Sequence, residues 1–304
     1  MRTRYLIGIE FEYLLTSKND YSADGLRFYN NIAVKDLSTV LENRPGAGDP
    51  TLYHDSEGVK NGYWYVEGVE RYTREGKLLD QAVKGLEVRT PPTTSIGAAL
   101  NQLLRLEHQL RVRLMRTGLD LAVAAYHPTA PPYVFDPPLA AWEEARRLIL
   151  PECRLADVAM LTYGPDLNFS LPDWSETQLV AAAEKLAWFA PYISLFTLNA
   201  PFAEGNAWGG LSRRTSVRGN RRPACFAFVA EPKDHPLLRP HARVPNVAGS
   251  NTRRSTRLRA HTCSAPAVPS FSACFSIKRC HSAASLSRRA STTASLSILS
   301  VTAV

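Results

Sequence analysis

Apolar and polar residues alternate at the start of the chain. Large apolar side chains occupy the odd positions from Tyr5 to Tyr13, and Glu10 and Glu12 stand between them. This period of two predicts a β-strand, because successive side chains of a strand point to opposite faces of a sheet. The two glutamates therefore share the polar face of the predicted strand.

The next alternating segments predict a β-hairpin. Residues 63–67 and 81–90 are rich in strand-forming residues, and a charged, glycine-containing turn separates them. Two prolines follow the second stretch, where a strand is expected to end. Glu87 and Arg89 lie on one face of this strand, and Val88 lies on the other. The hairpin thus adds a third carboxylate to a polar sheet face.

Helical patterns and a further strand follow. A leucine-rich helix is predicted over residues 95–116, and Ser175 and Gln178 form a capping box that opens another helix. Pro191 is predicted to separate that helix from a second one, and residues 163–171 alternate like a strand. Strands and helices do not alternate strictly. We therefore predict an α+β fold with a largely antiparallel sheet flanked by helices.

The basic excess of the chain lies at its C-terminal end. The whole chain has 36 Lys and Arg residues against 28 Asp and Glu residues, a formal charge of +8. Residues 250–304 hold eight of the basic residues and no acidic one, so residues 1–249 carry 28 of each sign. The sequence predicts a charge-balanced domain over residues 1–249 and a separate tail over residues 250–304.

The tail has the composition of a disordered segment. It contains 13 Ser and six Thr but no Gly, Trp or Tyr, so it cannot build a core of its own. One interpretation is a basic arm that binds nucleic acid or anionic lipid. The other interpretation, which we favour, is an unstructured segment without a binding role. On that interpretation nucleic acid is not a partner of the protein.

Several protein classes are disfavoured. No apolar run reaches the roughly 18 residues that a membrane-spanning helix needs. Glu10 and Glu12 interrupt the stretch that would be apolar in a signal peptide, so we expect a cytoplasmic protein. Three of the five cysteines lie in the tail, and no C-x-x-C pair occurs, which disfavours a zinc site or a disulfide framework.

Glu10, Glu12 and Glu87 are candidate metal ligands. Carboxylates on the polar face of a half-buried sheet repel one another and need a compensating cation. Mg²⁺ meets that need, because it takes oxygen ligands from a few carboxylates and the rest from water and phosphate. The alternative is that Glu12 and Glu87 pair with arginine or lysine side chains on neighbouring strands.

The arginine-rich segment 205–222 is a second candidate site and is predicted to form a glycine-bounded loop. Its five arginines, together with Ser212, suit bidentate binding of phosphate or carboxylate oxygens. A solvated basic loop or an RNA-binding patch is the alternative, and no P-loop or dinucleotide motif occurs. His127, which precedes Pro128, is more typical of a strand-end hydrogen-bonding residue than of a metal ligand.

Six short motifs occur in a fixed order along the chain. They are Gly8–Glu12, Gly85–Pro91, His127–Pro128, Gly164–Phe169, Asn199–Phe202 and Gly210–Arg214. In this order and spacing they resemble the bacterial glutamate–cysteine ligase and carboxylate–amine ligase family. The resemblance implies a glutamine synthetase-like catalytic domain that uses ATP and Mg²⁺ to join a carboxylate to an amine through an acyl phosphate. It further implies glutamate and cysteine as the small-molecule substrates.

The resemblance also suggests roles for individual residues. The metal ligands would be Glu10, Glu12 and Glu87, the catalytic residues Arg89 and Arg214, and the nucleotide-binding residues Ser212, Arg214 and Arg218. One departure concerns Asp166-Leu167-Asn168, where many relatives have His-Val-His. A ligase that joins other substrates is therefore an alternative.

Beyond Gly249 the sequence departs from the family pattern. Relatives continue with a strand resembling Arg-Ile-Glu-Tyr-Lys-Ala-Phe-Asp, whereas this chain continues with residues 250–256, Ser-Asn-Thr-Arg-Arg-Ser-Thr. A one-base shift in ATC GAA TAC AAG GCG TTC GAC, which encodes Ile-Glu-Tyr-Lys-Ala-Phe-Asp, yields those seven residues. We therefore expect the tail to be out-of-frame translation. A catalytic domain that is incomplete at its C-terminus, with little activity, is the corresponding expectation.

Overall fold

The computed structural model describes eight ranges of the chain. These are residues 5–49, 60–75, 77–149, 156–195, 198–219, 225–228, 242–243 and 257–261. The strands within them are β1 (Leu6–Ser17), β2 (Leu26–Arg27), β3 (Trp64–Tyr72), β4 (Leu78–Arg89), β5 (Leu119–Ala122), β6 (Pro165–Ser170), β7 (Phe202–Ala203), β8 (Asn206–Ala207), β9 (Cys225–Phe228), β10 (Ala242–Arg243) and β11 (Arg257–His261). The α-helices are α1 (Ser38–Leu41), α2 (Ile96–Arg116), α3 (Ala141–Ile149), α4 (Ala156–Leu161), α5 (Glu176–Ser194) and α6 (Arg213–Gly219), and a 3-10 helix covers Val34–Leu37.

One main sheet organises the fold. Its strand order is β10-β9-β11-β6-β1-β4-β3, and β2 and β5 also pair with β1. Among the described strands, every neighbouring pair is antiparallel except β9 and β10. The prediction of an α+β fold with a largely antiparallel sheet and flanking helices is confirmed.

Strand β1 lies between β4 and β6 and carries the predicted polar face. Ile7, Ile9 and Phe11 are buried, as their alternation requires. The strand continues past the predicted end, because Leu14 pairs with β5 and Leu15 pairs with both β2 and β5 after the pairing with β4 has ended. Both leucines are buried there, so the period of two is lost in the sequence although the strand continues.

The hairpin of β3 and β4 contains a β-bulge. Glu67 lies opposite Gly85 and Gly68 lies opposite Val83, so Lys84 is an extra residue on β4. A Cβ atom on Gly85 would lie 2.0 Å from the carbonyl oxygen of Tyr13, which belongs to the neighbouring strand β1. Only glycine permits this close approach of the two backbones.

Helix α2 covers the sheet and begins as predicted. The Ser95 hydroxyl accepts a hydrogen bond from the backbone N–H of Ala98 at 3.2 Å, and Gly118 follows the helix with φ at 77°. Leu106 faces the core and is buried, whereas Leu104 is 59% exposed. No helix within the described ranges is both long enough and apolar enough to cross a bilayer.

Helix α5 differs from the prediction. Its capping box is present, since Ser175 and Gln178 exchange hydrogen bonds between side chain and backbone. The predicted break at Pro191 is wrong, because the helix continues through it to Ser194. Proline removes one backbone hydrogen bond close to the end of the helix. Packing of α5 against β9 and β11 offsets this loss.

The arginine-rich segment also differs from the prediction. Residues 213–219 form helix α6 rather than a loop. The Ser212 hydroxyl accepts a hydrogen bond from the backbone N–H of Thr215 at 3.3 Å, which is the interaction of an N-terminal cap. The serine that was predicted to bind phosphate is therefore also the residue that starts the helix.

Five residues of the predicted tail form a strand. Strand β11 lies within residues 250–304 and pairs with β6 on one side and β9 on the other. Its alternation of arginine with leucine and alanine is compatible with a strand. The described residues all belong to one compact unit, Met1–Pro266. The rest of the predicted tail lies outside the described residues, and the division at residue 249 stays a prediction.

Candidate functional site

Three glutamates from three adjacent strands form a carboxylate cluster, which we define as Glu12, Glu67 and Glu87. Glu12 on β1 lies directly opposite Glu87 on β4, and Glu67 lies on β3. The oxygen atoms that the three side chains could offer to a metal ion all lie within 4.8 Å of one another. The pleat and the register of the sheet therefore bring together carboxylates that are far apart in sequence.

The charges in the cluster disturb one another. Burial, together with the charges of Glu67, Glu10 and Glu12, raises the pKa of Glu87 well above its ordinary value. Burial acts in the same direction on Glu67, but the neighbouring lysine charges and a hydrogen bond with Glu87 hold the pKa of Glu67 below its ordinary value. Glu87 thus keeps its proton to a higher pH than the neighbouring Glu67 does.

Two lysines contact the carboxylate cluster. Lys60 Nζ lies 2.5 Å from Glu67 Oε2, and Lys84 Nζ lies 2.7 Å from Glu12 Oε1. The charge of Glu67 and its neighbours raises the pKa of Lys60 although burial opposes it. The alternative raised by the sequence, pairing with a basic side chain on a neighbouring strand, therefore holds for Glu12.

The cluster nevertheless fits a divalent cation. Three carboxylates with oxygens in close reach are a ligand set of the kind that Mg²⁺ accepts. Burial and, after it, charge repulsion raise the pKa of Glu87, and a divalent ion would relieve the repulsion by taking the place of the proton.

Glu10 lies on β1 two residues before Glu12, outside the cluster. It pairs in register with Arg89 on β4 and with Asp166 on β6. Its charge raises the pKa values of Glu87 and Tyr65, so it belongs to the same electrostatic environment. The cluster contains Glu67 where the sequence analysis had placed Glu10, and the role of Glu10 as a ligand stays a prediction.

Arg89 borders the cluster from the end of β4. It is 5% exposed, and it donates hydrogen bonds to the carbonyl oxygens of Gly62 at 2.8 Å and Lys60 at 2.6 Å. Its guanidinium also lies over the ring of Tyr65, 4.8 Å from the centroid. Arg89 thereby fixes the segment that carries Lys60, in addition to any role in catalysis.

Arg214 is buried near the other side of β1. A Cβ atom on Gly164 would lie only 3.0 Å from its guanidinium, so a glycine makes room for this side chain. The carbonyl oxygen of Gly164 accepts a hydrogen bond from the backbone N–H of Glu12 at 3.5 Å. Arg214 therefore lies near the strand segment that carries one cluster carboxylate, and its catalytic role stays a prediction.

Arg218 and Ser212 stabilise helix α6. Arg218 donates to the hydroxyl of Thr162 at 2.9 Å and thereby anchors the helix. The Ser212 hydroxyl is engaged with Thr215. Their contacts with a nucleotide stay predictions.

Glu67 and the two lysines were not among the site residues that the sequence predicted. Glu67 lies in a predicted strand of the hairpin, and pairing that strand with the one that carries Glu87 would have placed the two glutamates near each other. Lys84 gave no such signal, because strict alternation puts it on the face opposite Glu87. The bulge reverses that placement.

His127 is a hydrogen-bonding residue, as the sequence indicated, but it lies beyond the end of β5 at Ala122. Its Nδ1 accepts hydrogen bonds from the backbone N–H groups of Ala130 at 2.9 Å and Thr129 at 3.3 Å. Its ring packs against Phe28 with centroids 4.6 Å apart. Burial lowers the pKa of His127 from 6.5 to about 4, so the folded protein holds the neutral imidazole at neutral pH.

The folded protein is expected to lose stability as the pH falls from 6.5 to 4. Between these values the unfolded chain binds a proton at His127 and the folded chain does not, so falling pH favours unfolding. The loss attributable to this residue is about 3 kcal/mol. Urea unfolding of wild type and His127→Asn at several pH values measures it. The stability difference between the two should change across this range, and parallel curves would contradict the expectation.

Comparisons with known proteins point to one family. The model of glutamate-cysteine ligase family 2 (GCS2) matches residues 6–235, a range that includes the carboxylate cluster, Arg89 and Arg214. A similar solved structure is a bifunctional glutathione synthetase from Pasteurella multocida, with 14% identity and a TM-score of 0.34, covering 65% of this chain and 23% of that chain. Another is the complex between the prokaryotic ubiquitin-like protein Pup and its ligase PafA, with 13% identity and a TM-score of 0.38, covering 88% of this chain and 44% of that chain. The chain thus spans less than half the length of either structure, and no curated protein matches it.

Proposed function

Because the chain belongs to glutamate-cysteine ligase family 2, a family of carboxylate–amine ligases, we propose that it joins the γ-carboxylate of glutamate to the amine of cysteine in an ATP-dependent reaction. The product is γ-glutamylcysteine, an intermediate of glutathione biosynthesis, and the compartment is the cytoplasm. The observation that carries the proposal is the carboxylate cluster, which lies inside the matched range and brings three oxygen ligands within 4.8 Å.

The reaction proceeds in two displacements. An oxygen of the γ-carboxylate attacks the terminal phosphorus of ATP, the bond to the bridging oxygen breaks, and ADP leaves. The amine nitrogen of cysteine then attacks the carbonyl carbon of the acyl phosphate, loses a proton and expels inorganic phosphate. Neither step needs a nucleophilic side chain, so the tasks of the protein are positioning and stabilisation of charge.

The residues of the site divide these tasks. Glu12, Glu67 and Glu87, with Glu10 beside them, would hold Mg²⁺, which neutralises the charge of phosphate oxygens when it is bound. Arg89 and Arg214 are buried cations on either side of β1 and are suited to carboxylate or phosphate oxygens. Ser212, which caps helix α6, and Arg218, which lies within it, would support the nucleotide.

A ligase with another acceptor amine is the second candidate. Asp166 lies opposite Glu10 on the neighbouring strand. The segment that departs from the family pattern, Asp166-Leu167-Asn168, therefore borders the predicted metal ligands directly. A carboxylate in this position changes the charge that an acceptor substrate would meet. The acceptor amine therefore has to be identified by experiment.

The proposal predicts ADP release that depends on both substrates. Purified protein is incubated with ATP, Mg²⁺, glutamate and one candidate amine at a time, and ADP is measured together with the ligated product. We expect release with cysteine and only background release when glutamate or Mg²⁺ is omitted. A version with the reading frame restored after Gly249 is assayed in parallel, because the predicted frame shift would lower the activity of this chain.

The frame-restored version separates two outcomes. Activity in that version alone would support the ligase assignment and the expectation that this chain is impaired. Activity with a different amine would replace the cysteine assignment by the second candidate. No ADP release from the frame-restored version with any amine would contradict the proposed function.

A further inference from the structure

Lys84 reaches the carboxylate cluster because of the β-bulge. In a regular strand it would point away from Glu87, but the extra residue on β4 turns its side chain towards Glu12. The hydroxyl of Tyr163 donates to the carbonyl oxygen of Lys84 at 2.9 Å, and the ammonium lies 4.9 Å from the centroid of the Tyr163 ring. The bulge and Tyr163 thus fix both the backbone and the side chain of this lysine.

The ammonium of Lys84 is a buried cation. Its side chain is 3% exposed, whereas that of its partner Glu12 is 20% exposed. Burying a charge is costly unless a partner of opposite sign compensates it. Glu12 is that partner, at 2.7 Å.

Glu12 also belongs to the carboxylate cluster, so two cations would share it. A divalent ion held by Glu12, Glu67 and Glu87 would draw the Glu12 carboxylate towards itself and would repel the ammonium nearby. Lys84 cannot retreat to solvent, because the bulge, the Tyr163 ring and its own burial hold it. It therefore needs another anion whenever the cluster holds a cation.

We propose that Lys84 binds an anionic oxygen of the substrates, exchanging Glu12 for a carboxylate or phosphate oxygen when a divalent cation occupies the cluster. The inference rests on the proposed function, and it adds a residue that directly contacts substrate. The exchange couples the two ligands, because the cation releases the lysine that the anion then binds. Both anions of the proposed reaction, glutamate and the phosphate chain of ATP, present suitable oxygens.

The first measurement follows the cation alone. Mn²⁺, a paramagnetic substitute for Mg²⁺, is titrated in the absence of nucleotide, and its binding is followed by electron paramagnetic resonance. The full-length wild type is compared with full-length Lys84→Met. We expect affinity equal to or tighter than that of wild type, because a competing cation has been removed. Weaker Mn²⁺ binding by Lys84→Met would overturn the inference, since it would show that the lysine only orients Glu12 for the metal.

The second measurement follows the anions. Calorimetric binding of a non-hydrolysable ATP analogue and of glutamate is compared at saturating Mn²⁺. We expect Lys84→Met to bind at least one of them about 10- to 100-fold more weakly, as loss of a charge-assisted hydrogen bond implies, and Lys84→Arg to recover most of the affinity. The anion that weakens identifies the source of the oxygen. Lys77→Met, at an exposed lysine of the same hairpin, is the matched control.

A second pair of variants guards against misfolding. Lys84→Met leaves Glu12 without its partner, so Glu12→Gln is compared with Glu12→Gln/Lys84→Met, in which no charge is left unpaired. The double variant should bind the anion more weakly than Glu12→Gln does. If the proteins with and without Lys84 bind the anion equally while Mn²⁺ binding is intact, the inference about Lys84 is overturned and the proposed function is not. A wild-type chain that binds neither anion would contradict the proposed function as well.

Discussion

Glu87→Gln is expected to weaken Mn²⁺ binding by at least about 100-fold, because changes outside the immediate ligands of a metal already weaken binding by about 10- to 100-fold. Glu87 lies in the centre of the carboxylate cluster, opposite Glu12 and beside Glu67. The amide keeps the size of the side chain but offers a neutral oxygen. ADP release in the ligase assay should fall in proportion to the loss of bound metal.

The same variant is expected to be at least as stable as wild type at neutral pH. The pKa of Glu87 is higher in the folded protein than in the unfolded chain, so rising pH favours the unfolded state of wild type in metal-free buffer. Glutamine cannot ionise and escapes this loss. Urea unfolding at several pH values, with a chelator present, measures the effect.

Glu107→Gln is the matched control for Glu87→Gln. Glu107 accepts hydrogen bonds from Tyr13 and Arg111 and lies outside the carboxylate cluster. Its replacement should leave Mn²⁺ affinity unchanged. Equal Mn²⁺ affinity in wild type and Glu87→Gln would show that the cluster does not bind the cation.

Arg71→Met is expected to destabilise the protein by about 3–5 kcal/mol, as loss of one partner from a buried ion pair does. Arg71 forms two hydrogen bonds with Glu143, at 3.0 and 2.8 Å, and both side chains are less than a tenth exposed. It also donates to the carbonyl oxygen of Pro137 at 2.6 Å. The substitution leaves the buried carboxylate of Glu143 without its cation and the carbonyl oxygen of Pro137 without this donor.

Adding Glu143→Gln to Arg71→Met should restore at least about half of the lost stability, because the remaining buried charge is removed. Urea unfolding midpoints of the single and double variants measure this coupling. Arg105→Met, at an exposed arginine of α2, should change stability by less than about 0.5 kcal/mol. A loss below about 1 kcal/mol in Arg71→Met would mean that water or a rearranged side chain replaces the arginine.

The sequence predicted those parts of the site that follow from local alternation. Glu12 and Glu87 lie on polar strand faces, and their predicted proximity is confirmed by the register of β1 and β4. The proximity of Glu67 to Glu87 depends on which residues of the hairpin pair with each other. The position of the Lys84 side chain beside Glu12 depends on a bulge. Both are properties of two strands together, so the alternation of one strand does not contain them.

The helices show a similar limit of local signals. The capping serines Ser95 and Ser175 were found because a cap acts within one turn. Pro191 and the arginines of α6 were misread, because neighbouring elements decide whether a proline or a basic segment stays helical. Packing of α5 on the sheet and the anchoring of Arg218 to Thr162 are tertiary contacts.

The order of strands also sets the chain distance over which the carboxylate cluster is assembled. Glu67 and Glu87 lie on the two arms of one hairpin, 20 residues apart, whereas Glu12 is 75 residues from Glu87. Closing the longer loop costs about 1 kcal/mol more in chain entropy. Two of the carboxylates can therefore meet in an isolated hairpin, but the third arrives only with long-range pairing. A cation that needs all three would bind the assembled sheet in preference to any partly folded chain, and would thereby stabilise the pairing that completes its own site.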